Sequence, residues 1–141
     1  GKTPGFLVTA LKDPRGANLD RVQIVKGWVE DGAERSQVFD AVCSEGAAVD
    51  ATTGRCPDNG TSVDLSNCGL VGEGGDTTLA TTWTDPNFEP SQRAVYYARV
   101  LENPVCRWTT HDALQIGAPL AKHVPPTIRE RAWTSPIWYT P

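Results

Sequence analysis

The sequence predicts a mostly β domain of the β-sandwich type, with one short helix and a long loop tied down by disulfides. Three observations lead to this fold class. Apolar and polar residues alternate in several segments rich in β-branched and aromatic side chains, and only one segment has a helix start and stop signal. Four cysteines lie in or beside a polar, glycine-rich stretch. At 141 residues the whole chain is expected to form a single domain.

The first predicted unit is a β-hairpin that follows the apolar segment GFLVTALKD at residues 5–13. A strand is expected over 19–32, where Val22, Ile24 and Lys26 lie on one face and Arg21, Gln23 and Val25 lie on the other. An Asp-Gly pair then predicts a tight turn, and residues 35–45 are again rich in strand-forming residues. The pattern therefore pairs these two segments.

A long irregular loop is expected between Gly46 and Gly75. The composition there turns to Gly, Asp, Asn, Thr and Ser, and neither the helical nor the strand period survives. A structureless loop of about 30 residues is unusual in a compact domain. Cross-links reduce the loop-closure entropy that such a loop costs, so the cysteines explain how it is tolerated.

The second half resumes with two strands and the one predicted helix. Residues 77–85 and 92–103 alternate and are β-branched or aromatic, which indicates strands. Residues 107–117 read as a helical turn, with Thr109 or Thr110 as its cap and a glycine as its stop.

The C-terminal segment RERAWTSPIWYTP, residues 129–141, is unusually aromatic for a chain end. Its prolines at 136 and 141 predict an extended edge strand, where a missing N–H is harmless. Chain ends usually fray, so this one is expected to be held by contacts with the core or with a neighbouring surface. The residues predicted to dock in this way are Trp133, Ile137, Trp138 and Tyr139.

The tryptophans permit two interpretations. Trp28, Trp83 and Trp133 fall in strand-like alternation, which favours core packing. Exposed aromatic rings can instead form a platform for sugars, so a secreted glycan-binding or protein-binding β module is the alternative function.

The four cysteines favour two disulfides and export to the periplasm, the cell surface or the extracellular space. A zinc site is disfavoured, because there is no C-x-x-C spacing and no adjacent histidine. Four cysteines allow three pairings. We predict Cys43–Cys56 with Cys68–Cys106, because this pairing would pin both ends of the loop to the sheet; the nested alternative, Cys43–Cys106 with Cys56–Cys68, would join two strand ends.

Charge and hydropathy exclude several partners. The net charge is −4 and the isoelectric point is near 5.1, which disfavours nucleic acid and anionic membranes. No apolar run approaches the ~18 residues that span a bilayer. The chain has no methionine and starts without a signal-type segment, so we expect a processed protein or part of a longer one.

Only one constellation offers catalytic chemistry. Arg107, His111 and Asp112 combine a base, a carboxylate and an anion-binding group within six positions. The spacing is unspecific, and a polar turn with a solvated histidine is the simpler interpretation. No phosphate-binding loop, nucleophile elbow or H-E-x-x-H pattern occurs in the sequence.

Several long segments carry a family resemblance. NLDRVQIVKGWVEDG, CPDNGTSVDLSNC, TTWTDPNFEPSQRAVYYARVLENPVCRWTTHDA and PPTIRERAWTSPIWYTP resemble the C-terminal region of an exported bacterial family known as a domain of unknown function. That family is related to the PHP (polymerase and histidinol phosphatase) metal-dependent phosphoesterases. The resemblance runs from about Gly5 to Pro141.

The resemblance implies that catalysis belongs to a different part of the protein from this chain. A PHP metal site begins with a D-x-H-x-H motif, which this sequence lacks, so no metal ligand or cofactor is assigned to this chain. A divalent metal would belong to a missing N-terminal part. The chain is then expected to be the non-catalytic C-terminal domain of a larger PHP-like protein. Its partner is expected to be that catalytic part or another copy of the chain.

Overall fold

The computed structural model describes residues 3–141, which form nine β-strands and one α-helix. A single 3₁₀ turn, Ser44–Gly46, follows the third strand. The elements in chain order are β1 (Gly5–Leu11), β2 (Leu19–Glu30), β3 (Ala33–Cys43), β4 (Ser62–Asp64), β5 (Gly69–Val71), β6 (Thr78–Thr84), β7 (Ala94–Cys106), α1 (Trp108–Ile116), β8 (Thr127–Trp133) and β9 (Ile137–Tyr139).

Two sheets of unequal width pack face to face. The wide sheet has five strands in the order β3-β2-β7-β8, with β9 also paired to β7. The narrow sheet contains only β1 and β6. This arrangement confirms the predicted mostly β, sandwich-like fold class.

The core lies between the sheets. One cluster is built from Ala10, Leu19, Val22 and Leu79, and the second is centred on Ile24, Ala94, Tyr96 and Ala98. The strand alternation read from β2 is therefore confirmed, because Val22 and Ile24 are fully buried on the inner face. Trp28 and Trp83 pack against the second cluster, as expected for core aromatics.

The predicted hairpin is β2 and β3, which pair antiparallel from Arg21–Cys43 to Glu30–Ala33. The turn between them is the Asp-Gly pair, and both residues have positive φ, at 51° for Asp31 and 76° for Gly32. Two positive φ values in a two-residue turn match the right-handed twist of the flanking strands. The local sequence thus fixes this register.

The aromatic tail completes one edge of the wide sheet. β8 pairs with the C-terminal half of β7, and β9 pairs with the N-terminal end of the same strand. Between them Thr134 donates its backbone N–H to Ala98 O at 3.1 Å and accepts the Ala98 N–H on Oγ1 at 3.0 Å. Pro136 lies in the bend, so the prediction of an edge segment is confirmed.

Both predicted disulfides are present. Cys43 is bonded to Cys56 and Cys68 to Cys106, at sequence separations of 13 and 38. The first bond ties the loop to the end of β3, and the second ties it to the end of β7. Two disulfides are typical of proteins that fold outside a reducing cytoplasm.

The long loop is less irregular than predicted. It contains the hairpin of β4 and β5, which pair from Ser62–Val71 to Asp64–Gly69. Each strand has only three residues, which is too short to produce a visible period. Asp64 stabilises the turn by accepting hydrogen bonds from the Ser66 and Cys68 backbone N–H groups at 2.8 and 2.7 Å.

The predicted helix cap was wrong. α1 begins at Trp108 with Arg107 as its N-cap, and neither Thr109 nor Thr110 caps it. Thr110 is buried and donates its hydroxyl to Pro126 O at 2.7 Å, so it anchors the first turn to the chain before β8. The predicted stop is confirmed, because Gly117 ends the helix in a left-handed conformation at φ 67°.

Among residues 3–141, no helix is both long and apolar enough to cross a membrane.

Candidate docking surface

The three candidate catalytic residues do not form a joint side-chain arrangement in the described residues. His111 and Asp112 are exposed on α1, and Arg107 precedes the helix. His111 and Arg107 are joined by a backbone hydrogen bond, in which the His111 N–H donates to Arg107 O at 3.1 Å. No side-chain hydrogen bond links them within residues 3–141, so the geometry of a base held by a carboxylate is missing.

One cluster in the described part of the chain has the composition of a metal site. Cys68, Cys106 and His111 place their potential ligand atoms within 4.8 Å of one another. Both sulfurs are engaged in one disulfide, however, and a metal binds the thiolate form of cysteine. The cluster is thus a histidine beside a structural disulfide.

A buried ionic network stabilises the outer face of the wide sheet. Asp40 on β3 accepts hydrogen bonds from Arg21 Nη1 at 2.8 Å, from Gln23 Nε2 at 2.6 Å and from the Cys56 backbone N–H at 2.7 Å. Gln23 in turn accepts a bond from Arg99 Nε at 2.8 Å. The network joins three strands to the disulfide-tied loop, so it fixes how the loop covers this face.

The same contacts shift the acidity of Asp40. Burial alone would raise the pKa of this carboxyl. The hydrogen bonds from Cys56 N–H, Gln23 and Arg21 outweigh that effect and hold the pKa of Asp40 below its ordinary value. The carboxylate therefore stays ionised and structural.

A second buried ion pair lies near the other end of the strands. Lys26 Nζ is 2.6 Å from Asp85 Oδ2 and donates to Asn87 O at 2.8 Å. The Tyr96 hydroxyl donates to the same Asp85 oxygen at 2.8 Å. Burial raises the pKa of Tyr96, and the negative charge of Asp85 adds to this effect. These groups bond to one another, so they serve the fold.

The feature that stands out is a trench along the free edge of β1. Two cavities of about 420 and 300 Å³ lie there, and together they are lined by every residue of β1, from Gly5 to Leu11. The two cavities share Thr9, Ala98 and Thr134 as lining residues, so they lie next to each other along β1. The trench is thus as long as a strand.

The opposite wall of the trench is the inner face of the wide sheet. Ala132 on β8 lies opposite Val100, and Ile137 on β9 lies opposite Tyr96. Directly paired residues share a face, and Val100 and Tyr96 belong to the core. Ala132 and Ile137 are nevertheless exposed, because the narrow sheet ends at β1 and does not reach them.

Large apolar side chains surround this side of the molecule. Trp133 and Trp138 lie opposite Arg99 and Val95 at the same edge; Trp133 also belongs to the lining of the smaller cavity, whereas Trp138 lines neither cavity. The exposed fractions are 78% for Leu7, 77% for Leu11, 60% for Trp133, 54% for Ile137 and 75% for Trp138. We call the trench together with these five side chains the open side.

One end of the trench is acidic. Glu102 and Glu130 line the cavity next to Leu11, with Arg131 beside them. Burial raises the pKa of Glu102, and the negative charges of Glu130 and Asp13 raise it further. The other cavity, toward Gly5, has no charged residue in its lining.

A separate cleft of about 770 Å³ lies at the end of the sheet near the β2–β3 turn. Two tryptophans, Trp28 and Trp138, line it together with Arg35, Glu34 and Gln92. Aromatic faces beside polar side chains are a combination that suits sugars. The glycan-binding alternative would place its ligand in this cleft.

The predicted docking residues divide into two groups. Trp133, Ile137 and Trp138 lie on the open side, where they are available to a partner. Tyr139 instead packs within the chain, with its ring 4.9 Å from that of Phe88 and its hydroxyl donating to Pro90 O at 2.9 Å. The core role expected for Trp133 was wrong, because its strand lies beyond the reach of the narrow sheet.

Sequence reasoning missed Leu7, Leu11 and the trench. The available signal was the uncharged segment GFLVTAL, which has apolar residues at both even and odd positions. A strand with one face toward water is expected to alternate. Its odd-numbered leucines therefore indicated a second apolar surface.

These observations define a class of protein, namely a disulfide-bonded β-sandwich with one open side. The family model described as "Protein of unknown function (DUF3604)" matches residues 1–141, and the chain belongs to that family. Comparisons of the chain with curated proteins and with solved structures found no match.

Proposed function

We propose that this chain is the non-catalytic, exported C-terminal domain of a larger PHP-type metal-dependent phosphoesterase or hydrolase, and that it packs against the catalytic part through its open side. The observation that carries the proposal is the exposure of four apolar residues that line the trench, Leu7, Leu11, Trp133 and Ile137, with Trp138 exposed next to Ile137 on β9. The resemblance to PHP-related proteins supplies the identity of the partner. The divalent metal would be held by that partner.

The energetics favour a covered open side. Burying a leucine or tryptophan that is now exposed contributes about 1.5–3 kcal/mol each. Leu7, Leu11, Trp133 and Ile137 all belong to the lining of the trench, so one partner seated there could contact all of them. The backbone of β8 and β9 is already paired within the chain, so these side chains are available to a partner without local unfolding.

The experiment compares matched tryptophan variants in the intact gene product. Trp138→Ser removes an apolar side chain of the open side, and Trp108→Ser removes an equally exposed one from α1. We expect only Trp138→Ser to lower the melting temperature of the intact protein, while neither variant shifts that of the 141-residue chain. Equal effects of the two variants on the intact protein would contradict the proposal.

Two further measurements bear on the same proposal. The 141-residue chain is expected to show no turnover of p-nitrophenyl phosphate with Mg²⁺, Mn²⁺ or Zn²⁺, and metal-dependent turnover by this chain would overturn it. The intact mass of the gene product is expected to exceed 15.2 kDa clearly. A mass equal to that of this chain would also overturn it.

The second candidate is a glycan-binding module, favoured by the cleft that contains Trp28 and Trp138. Binding of an oligosaccharide there would quench tryptophan fluorescence, and Trp138→Ala would abolish the change while Trp108→Ala would not. A flat titration with oligosaccharides of several classes removes this candidate.

A further inference from the structure

We infer that the trench is a receptor for one extended polypeptide strand, which pairs antiparallel with the free edge of β1 and extends the narrow sheet from two strands to three. The inference rests on the proposed function for the source of the strand, which is the catalytic part of the same protein. It goes further in stating how that part is bound and what kind of segment it contributes.

Within residues 3–141, the edge of β1 that faces away from β6 offers unpaired backbone groups. Lys12 N–H bonds to Thr77 O at 3.0 Å, which continues the pairing of β1 with β6 by one residue. Because strand residues alternate in direction, Phe6, Val8 and Ala10 also direct their N–H and C=O groups toward β6. The groups of Gly5, Leu7, Thr9 and Leu11 consequently point into the trench, where a new strand would bond to them.

The composition of this edge indicates that it is covered. Natural proteins protect open strand edges with charged residues or proline, because an open apolar edge aggregates. The edges of the wide sheet have such protection, with Glu34 and Arg35 on β3 and Arg129, Glu130 and Arg131 on β8. Gly5–Leu11 has no charged residue and no proline.

The dimensions select a single strand over a second copy of the chain. A strand as long as β1 spans about 24 Å, and its occupant would need about seven residues. The wide sheet extends beyond β1 on this side, since β8 and β9 form the opposite wall of the trench. Two copies approaching edge to edge would bring their β8 and β9 strands together before their β1 strands met.

Charge and shape define the occupant further. The floor of the trench includes the small side chains of Ala98 and Ala132, which leave room for alternating Val, Ile or Leu side chains. Glu102 and Glu130 at the Leu11 end complement a lysine or arginine. Because the bound strand runs antiparallel to β1, its N-terminal end lies at Leu11, and the basic residue is therefore the first residue of the bound strand.

The experiment titrates the 141-residue chain with the acetylated, amidated peptide Lys-Thr-Val-Thr-Val-Thr-Val, in which the lysine and the valines share one face, and follows backbone amides by NMR. Hydrogen exchange of the Leu7, Thr9 and Leu11 amides should slow at least about tenfold at saturation, because these amides gain partners. The matched peptide with glutamate in place of lysine should bind about threefold to tenfold more weakly, because it meets Glu102 and Glu130.

Edge-blocking variants make the test specific. Thr9→Pro removes an N–H that points away from β6, so the chain should fold and lose peptide affinity by about fivefold or more. Thr9→Val keeps the N–H and should bind as the parent chain does. If Thr9→Pro does not fold, Ala132→Trp serves instead, because it fills the trench without touching the pairing of β1 with β6.

Three results would overturn the inference. The first is unchanged hydrogen exchange of the Leu7, Thr9 and Leu11 amides at millimolar peptide. The second is a Thr9→Pro variant that binds the peptide as tightly as Thr9→Val does. The third is a dimer of the 141-residue chain in sedimentation that becomes a monomer in the Thr9→Pro variant. None of these results changes the outcome expected when the melting temperatures of Trp138→Ser and Trp108→Ser are compared in the intact protein. A failure of strand pairing is therefore distinguishable from a failure of the proposed function.

Discussion

Removing the Asp40 carboxylate tests the buried network that holds the disulfide-tied loop on the wide sheet. Asp40→Ala leaves Arg21, Gln23 and the Cys56 N–H without their shared acceptor. Breaking a buried ion pair by removing one partner costs about 3–5 kcal/mol. Arg21 retains a second carboxylate, Asp20, at 2.5 Å, so we expect the lower end of that range.

Urea and thermal unfolding of the oxidised chain measure this cost. A loss of about 3 kcal/mol corresponds to a fall of about 10 °C in melting temperature for a chain of this length. Asp50→Ala is the matched control, because Asp50 also accepts several hydrogen bonds but is exposed. That control should shift the melting temperature far less.

The pH dependence gives the same prediction a second readout. Asp40 has a folded pKa below its ordinary value of 3.8, so its contribution is fully present above that value and is lost as pH falls through the folded pKa. The difference in unfolding free energy between the parent chain and Asp40→Ala should therefore become smaller as the pH falls below 3.8. A gap that stays constant down to about pH 2, or a loss below about 1 kcal/mol at neutral pH, would refute the reasoning.

Three further predictions concern other parts of the fold. Gly75→Ala should lower the free energy of unfolding in urea by more than about 2 kcal/mol, because φ is 95° and the new Cβ would lie 2.6 Å from Asn103 Nδ2. Gly54→Ala is the control, with φ at 66° and open space around the new Cβ, and it should cost about 1 kcal/mol. Equal costs for the two variants would contradict this reasoning. Replacing both Cys68 and Cys106 by alanine should cost about 4 kcal/mol, about 1 kcal/mol more than removing the shorter disulfide, and non-reducing peptide mapping that linked Cys68 elsewhere would refute the pairing. Trp138→Ser should change the stability of the isolated chain by less than about 0.5 kcal/mol, because the ring is exposed, and a larger loss would show that it packs within the chain.

The sheet elements were predictable because their signals are local. The Asp-Gly turn and the alternation of Val22 and Ile24 specify the hairpin of β2 and β3 without knowledge of the rest of the chain. The disulfide pairing was predicted from the positions of the cysteines, because Cys43 ends β3 just before the loop, Cys106 ends the later strand β7, and Cys56 and Cys68 lie within the loop.

The candidate site was only half predictable, because it depends on the widths of the two sheets. Trp133 has the alternation of a core residue, and it is exposed because β8 lies outside the area that the narrow sheet covers. No local pattern reports how many strands the opposite sheet will contain. The helix cap failed for a similar reason, since the Pro126 carbonyl that binds Thr110 is 16 residues away.

Covalent footprinting with hydroxyl radicals tests most directly whether the open side is a docking surface. The measurement compares the oxidation of Leu7, Trp133, Ile137 and Trp138 in the 141-residue chain with that in the intact gene product, using Trp108 as an internal reference. We predict that the four open-side residues are protected several-fold in the intact protein while Trp108 reacts equally in both. Equal oxidation of the open side in the two samples would contradict the account.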